Sequence, residues 1–296
     1  MTTFGQLIDD VAATVRSFTR EQPLLTWITG GISETAEEIT VNDGTVLSRG
    51  RIEIDNELII LEDVVDNRGI IPPFGRGADS TKATTHAARS KVTVSPLVPR
   101  ATIGATINQV IAGMNGRMFS LDRVESKAHV TRVSHELPAD TQRVLAVTIP
   151  IDPTVLKDTW FARDYQFDNQ APVSTGRALY LYEVPPVGRN ISIIVARDLV
   201  PLDEESDEFT TSGLPESSLD VVLFGAVSRL IATAGNYSIA TRSVGAQTTL
   251  GIQTDDVQGA TQMSRHYYGL HTQRLEEEVN KLLNTYTMKS HYSRRY

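Results

Sequence analysis

Ser218-Leu219-Asp220-Val221-Val222-Leu223-Phe224-Gly225-Ala226-Val227-Ser228-Arg229-Leu230 decides half of the fold. Leu219, Val222, Leu223, Ala226, Val227, Leu230 and Ile231 recur at helical spacing and leave almost no polar face. Such a helix is buried on most sides. Pro215 suits its first turn and Ser218 its cap. Arg51-Ile52-Glu53-Ile54-Asp55 decides the other half. Apolar and polar residues alternate there, so the stretch reads as a strand with one wet face. Asp55-Asn56-Glu57 separates it from a second β-prone run, Leu58-Ile59-Ile60-Leu61. Helices and strands therefore come in blocks, the pattern of an α+β protein.

Working outward, residues 4–18 place Phe4, Leu7, Ile8, Val11, Val15 and Phe18 on one helical face, and Pro23 ends the region. Ile39, Val41, Val46, Ile52, Ile54 and Leu58 to Leu61 make residues 24–71 a strand set, with Asn42-Asp43-Gly44 as a hairpin signal. Pro72-Pro73 and the glycines after it mark a loop. Lys91 to Val94 reads as one more strand, closed by Pro96 and Pro99. A helix follows over about 100–114, with Ile103, Ile107, Val110, Ile111 and Met114 on one face and Gly104 and Gly113 weakening it.

Residues 118–200 return to strands, clearest at Val144–Ile149, Ala178–Tyr182 and Ile191–Val195, with Pro185-Pro186-Val187-Gly188 as a turn. This is the pattern of a small antiparallel sandwich or barrel inserted between helices. Asp203-Glu204-Glu205-Ser206-Asp207-Glu208 reads as a solvated acidic loop, with charge matching to a partner as its functional alternative. Residues 235–258, rich in Gly, Thr and Ser, read as flexible. A last helix is expected over 259–285, striped by Tyr268, Leu275, Val279, Leu282 and Leu283.

The expected organisation is a helical assembly domain made of the N-terminal, middle and two C-terminal helices. Its parts are residues 1–117, an inserted β-sandwich-like domain at 118–202, a helical part at 203–287 packing with the N-terminal helices, and a tail at 288–296. That tail carries Lys289, His291, Tyr292, Arg294, Arg295 and Tyr296. Arg and Tyr are enriched at interface hot spots, so these six form the candidate docking site, with a frayed chain end as the alternative reading.

The 296 residues are 40% hydrophobic and 22% charged, enough for a sizeable core. The net charge of −8 argues against a general nucleic-acid coat, which needs Lys and Arg against phosphate. There are no cysteines, which excludes disulfides, thiolate metal sites and thiol nucleophiles. The first ten residues carry Asp9 and Asp10 where a signal peptide needs bases, and no apolar run approaches the roughly 20 residues of a membrane span. Neither a targeting segment nor a membrane partner is expected.

Catalytic motifs are missing. Gly75-Arg76-Gly77-Ala78-Asp79-Ser80 lacks the third glycine of a dinucleotide fingerprint and follows a double proline, so it reads as a loop between two strands. Pro138 breaks any helix that His135-Glu136 could open for zinc, and His266 and His271 are five apart. The histidines at 86, 129, 135, 266, 271 and 291 read as surface or core-edge side chains. Neither a nucleophile elbow nor a phosphate-cradling loop is present. The expectation is no enzyme, no cofactor and no metal. Trp27, Trp160 and the pair Tyr180/Tyr182 admit a glycan platform, though core or cross-strand packing is the simpler reading.

The segment Gly75–His86 running on to Lys91–Val94, followed by Ser218–Leu230, frames the β-rich middle. In this order the chain resembles the head-to-tail connector (neck adaptor) proteins of tailed bacteriophages, of the actinobacteriophage type. The resemblance covers most of the chain. It includes Arg76-Gly77 with Thr81, Ala83 and His86, Pro99-Arg100 with Ile103 and Ile107, Trp160, Gly176, Pro186-Val187-Gly188-Arg189, Leu214-Pro215 and the long final helix. Two departures stand out. Such proteins usually carry Gly-Thr after the Arg-Gly pair, where this chain has Ser80-Thr81, and glycine is common where Ala88 to Ser90 stand. The resemblance implies a structural protein at the neck of a virion, assembled in the host cytoplasm. About twelve copies would form a ring beneath the portal protein ring. It would extend the channel for packaged DNA and meet downstream neck or tail proteins, with the C-terminal tail docking on the portal. A tail-completion role is the nearest alternative.

Overall fold

Thr3 starts the first helix, α1 (Phe4–Ser17), through a capping box: its side chain accepts from Gln6 N while Gln6 reaches back to Thr3 N. Phe4, Leu7, Ile8, Val11, Ala12 and Val15 form the buried face that the spacing predicts. The computed structural model describes residues 1–18, 23–128, 134–150, 159–162, 164–182, 187–245 and 253–285. The chain divides into two units, one of Thr3–Val110 with Asp220–His271, the other of Met1–Thr2, Ile111–Leu219 and Thr272–Tyr296.

After α1 come the strands β1 (Leu24–Trp27), β2 (Glu38–Thr40), β3 (Gly50–Ile54), β4 (Glu57–Leu61), β5 (Asp63–Val65), β6 (Arg68–Ile70) and β7 (Lys91–Val94), then the helix α2 (Arg100–Met114). The strands make two antiparallel sheets, ordered β1-β7-β3-β4 and β2-β6-β5. Ile39 from one sheet and Ile52, Ile54, Ile59, Leu61, Val92 and Val94 from the other share a single core. Gly69 in β6 allows that contact, because a Cβ there would meet the Leu61 methyls at 2.9 Å.

Two local readings need correction. Asn42-Asp43-Gly44 is not a hairpin turn. Asp43 caps a short 3-10 turn (Gly44–Val46), and β2 pairs with the distant β6. Gly44 is there for a close crossing: a Cβ would lie 2.0 Å from Asp66 O. The outer face of β3 is also not fully wet. Arg51 and Asp55 are exposed, but Glu53 is buried and its Oε1 accepts from Arg100 N at 2.5 Å. That contact satisfies an orphan donor at the start of α2. Arg100 in turn reaches Asp9 on α1 and Asn56 in the β3–β4 turn. Gly104, a weak point for helix propensity, seats Phe4, whose ring would lie 3.2 Å from an added Cβ.

The other unit holds β8 (Ser120–Lys127), β9 (Ser134–Glu136), β10 (Thr141–Pro150), β11 (Thr159–Phe161), β12 (Tyr165–Asp168), β13 (Ala178–Leu181) and β14 (Asn190–Arg197). They pair antiparallel as β11-β10-β14-β8 and β12-β13-β9. Val147, Ile149, Ile191, Ile193 and Val195 of the first sheet pack with Leu179 and Leu181 of the second. Two sheets over one core make a sandwich. The α+β expectation therefore holds.

The long helices are α3 (Leu219–Gly245) and α4 (Gln253–Thr285). Val221, Val222, Ala226, Val227, Leu230 and Ile231 of α3 are buried, as its pattern requires. Residues 235–245, expected to be flexible, continue the helix. Sixteen residues of helix precede them, and extending a formed helix is far easier than nucleating one, which outweighs Gly235 and the β-branched residues. The last helix begins six residues before the expected start at 259. Its apolar stripe is only partly covered: Leu275 is buried, while Tyr268 and Leu283 are exposed.

Gly225 sits where α3 presses on its neighbours. A Cβ there would lie 2.8 Å from Val110 Cγ1 and 2.9 Å from His271 Nδ1. Gly225→Leu is expected to lower the unfolding free energy by about 1–3 kcal/mol or more through overpacking. A thermal melt checks this, and an unshifted midpoint would show that the α3 face is open.

Candidate functional site

The most built polar site lies on the segment that carries the sequence resemblance. The β3–β4 hairpin turns at Asp55, which takes φ +52, and Glu57 opens β4 with its side chain 1% exposed. The chain between β6 and β7 folds back over this carboxylate. Ile60 N donates to Gly75 O at 2.8 Å, Leu58 N to Thr81 Oγ1 at 3.1 Å, and Ile32 and His86 exchange backbone hydrogen bonds at 3.0 Å.

Five donors converge on Glu57. Oε1 accepts from Arg76 Nε at 2.7 Å and Gly77 N at 3.0 Å. Oε2 accepts from Arg76 Nη2 at 2.9 Å, Thr84 N at 3.0 Å and His86 Nε2 at 2.8 Å. The Arg76 guanidinium also donates to the carbonyls of Ser33 and Thr84. His86 has its second ring nitrogen 2.7 Å from Asp55 Oδ2. Burial alone pushes the Glu57 carboxyl up, but hydrogen bonds from Arg76, Thr84, His86 and Gly77 overcome it and hold the group at about 2. Gly77 stands at φ +62, and a Cβ there would meet Thr81 O at 2.9 Å, so the Arg-Gly pair is a steric requirement of the turn.

This constellation fastens a loop. The four lone-pair positions of a carboxylate are all engaged, so Glu57 has nothing left for a substrate or a metal. Among the described residues, no group of three or more His, Asp or Glu is arranged to hold a metal ion. The loop reading of Gly75–Ser80 is right, but His86 is a buried anchor and not a core-edge side chain. The backbone around it is strained. Phe74, Asp79, Ser80 and Arg89 take φ of +67, +52, +69 and +70.

The other histidines are scattered. His135 is buried with Nδ1 2.8 Å from Ser126 Oγ, His271 Nδ1 lies 2.8 Å from Val221 O, and His266 is exposed beside Tyr267. Another buried acid, Glu278 on α4, accepts from Ser217 Oγ at 2.9 Å and Lys281 Nζ at 2.5 Å. Burial raises this carboxyl, and these partners bring it below its usual value. It ties the entry of α3 to α4. Tyr182 is exposed and Tyr180 half-buried on β13, while Trp27 is exposed on β1 in the other unit. The docking residues read from the sequence, Lys289, His291, Tyr292, Arg294, Arg295 and Tyr296, lie outside the described residues, as do His129 and the Trp160 side chain. Among the described residues no helix is long and apolar enough to cross a membrane. No family model matches the chain, and no curated protein matches it either.

The Glu57 network has a pH signature. Its folded-state value lies below the ordinary 4.5, so the stabilisation is complete above about pH 4.5 and is lost as pH falls towards 2. The span corresponds to about 3 kcal/mol. Glu57→Gln is expected to destabilise the protein by roughly 3–5 kcal/mol at pH 7, since it leaves Arg76 and His86 facing a neutral amide. The gap to the native chain should close between pH 4.5 and 2. Urea midpoints measured across that range check it, and a pH-independent gap would refute the assignment.

Proposed function

We propose that this chain is a head-to-tail connector of a tailed phage: a structural ring subunit beneath the portal that joins capsid to tail and extends the DNA channel. The observation that carries the reading is backbone conformation at two positions. Ser80 stands where the resembling proteins usually carry glycine, and Arg89 lies within Ala88 to Ser90, the stretch where glycine is common in them; both take left-handed φ, +69 and +70. Glycine favours that region because it has no Cβ. The loop thus has, at these two positions, the backbone geometry that glycine favours. The saturated Glu57 network fits the same role, since it orders a surface loop and leaves no reactive group open.

The work of such a protein is assembly. Copies pack side by side in heterologous contacts that close by rotation. An acidic subunit, here at net charge −8, suits a channel wall past which DNA slides without sticking. The basic and aromatic C-terminal tail, residues 288–296, docks on the portal ring.

The decisive experiment is antibody-labelled electron microscopy of purified virions. Label at the head–tail junction is expected, and label along the tail or nowhere on the particle would overturn the reading. Deleting residues 288–296 is expected to leave the melting midpoint in place and weaken capture by portal rings at least tenfold. Undiminished capture would remove the tail from the interface. The loop itself has a separate test. Ser80→Gly is expected to raise stability by up to about 1 kcal/mol, because the relief of left-handed strain, about 1–2 kcal/mol, exceeds the chain entropy that glycine adds. A lowered unfolding midpoint would mean that the Ser80 side chain holds the turn.

A further inference from the structure

Phe74 is the most conspicuous surface residue of its unit. It is 99% exposed at the tip of Pro72-Pro73-Phe74-Gly75 and takes φ +67. A bulky side chain with that backbone is an outlier, and such strain persists only where the surroundings enforce it. Here they do. Gly75 N closes the turn on Pro72 O at 2.8 Å, Gly75 O binds Ile60 N at the edge of β4, and the next residue is the anchored Arg76. The loop fixes the backbone that carries the phenyl ring, and the ring stands out in solvent.

The same unit carries a socket. A cavity of about 320 Å³ opens between α1, the end of β7 and the start of α2. Ala12, Val15 and Ile103 form its apolar wall, and Leu24 and Leu97, 54% and 42% exposed, stand at its mouth. A cavity of about 150 Å³ already takes a benzene ring. In the sheet order β1-β7-β3-β4, the Phe74 loop is bonded to β4 at one edge, and the cavity is lined by β1 and β7 at the other. The exposed Glu37 and Glu62 flank the base of the Phe74 loop, and Arg16, which also acts on the buried Glu53, lines the cavity.

We propose that Phe74 of one copy seats in the α1/β7 cavity of the next. A knob and a socket on opposite edges of one sheet make a head-to-tail contact, which repeats from copy to copy instead of stopping at a pair. This deepens the connector reading, on which it rests for taking the partner to be a second copy of this chain.

The absence of cysteine in the native chain allows a clean test. Phe74→Cys, activated as its pyridyl disulfide, is mixed with Leu97→Cys. The thiolate introduced at position 97 attacks the activated sulfur, forms the intermolecular disulfide and releases thiopyridone, which is read by absorbance. Both positions are exposed, and matching melting curves confirm that both variants fold. The pair is expected to couple at least tenfold faster than activated Phe74→Cys mixed with Asn169→Cys, another exposed position on a different unit. Coupling no faster than that control overturns the proposal. The two readings fail separately: coupling without virion label at the neck sinks the connector and keeps the contact, whereas neck label without coupling does the reverse.

Discussion

The carboxylate of Glu57 is the constraint on which the β-rich unit depends. It sits at the first residue of β4, almost wholly excluded from solvent, and gathers donors from four residues spread over positions 76–86. Burying a charge costs several kcal/mol, and a single ion pair seldom recovers it. Glu57 recovers it by multiplicity: one guanidinium bound two-pronged, two backbone amides and an imidazole. Bidentate Arg geometry matters here, because a lysine would supply a point charge without reaching both carboxylate oxygens and the carbonyls of Ser33 and Thr84 at once.

The network sets a conformation more than it adds stability. Three residues beside it, Phe74, Asp79 and Ser80, hold left-handed φ, each at about 1–2 kcal/mol. Their sum is of the same order as the stabilisation that Glu57 contributes in its ionised state. A fold that needed only a connection between β6 and β7 would not require this arrangement. A surface that must present one side chain in one place does.

Much of the architecture was legible in the residues. The buried faces of α1, α2 and α3 follow from apolar spacing, and the two β-rich blocks follow from short alternating runs bounded by turn residues. What the pattern hid were the exceptions to it. Glu53 occupies a polar slot in an alternating strand, yet the outer face on which it stands is covered there, and it serves the first amide of α2. Asp43-Gly44 carries a hairpin composition, but the glycine answers a backbone crossing more than twenty residues away. His86 looked like one of six scattered histidines, because its partners, Asp55 and Glu57, lie about thirty residues earlier in the chain. The available signal was the cluster Arg76-Gly77 with Thr81, Thr84 and His86, too polar for a simple strand connection and too rich in donors to be left without an acid.

In the proposed contact, the Phe74 loop contributes a backbone that is already set. Gly75 is held by hydrogen bonds of 2.8 Å to Pro72 and Ile60, so the loop that carries the ring needs little further ordering. Preorganisation of this kind lowers the ordering cost at the moment of contact, so a small apolar knob gains affinity without a large interface. In the proposed ring that gain would count at every subunit boundary, so the modest energy of one phenyl in one cavity would add up around the circle.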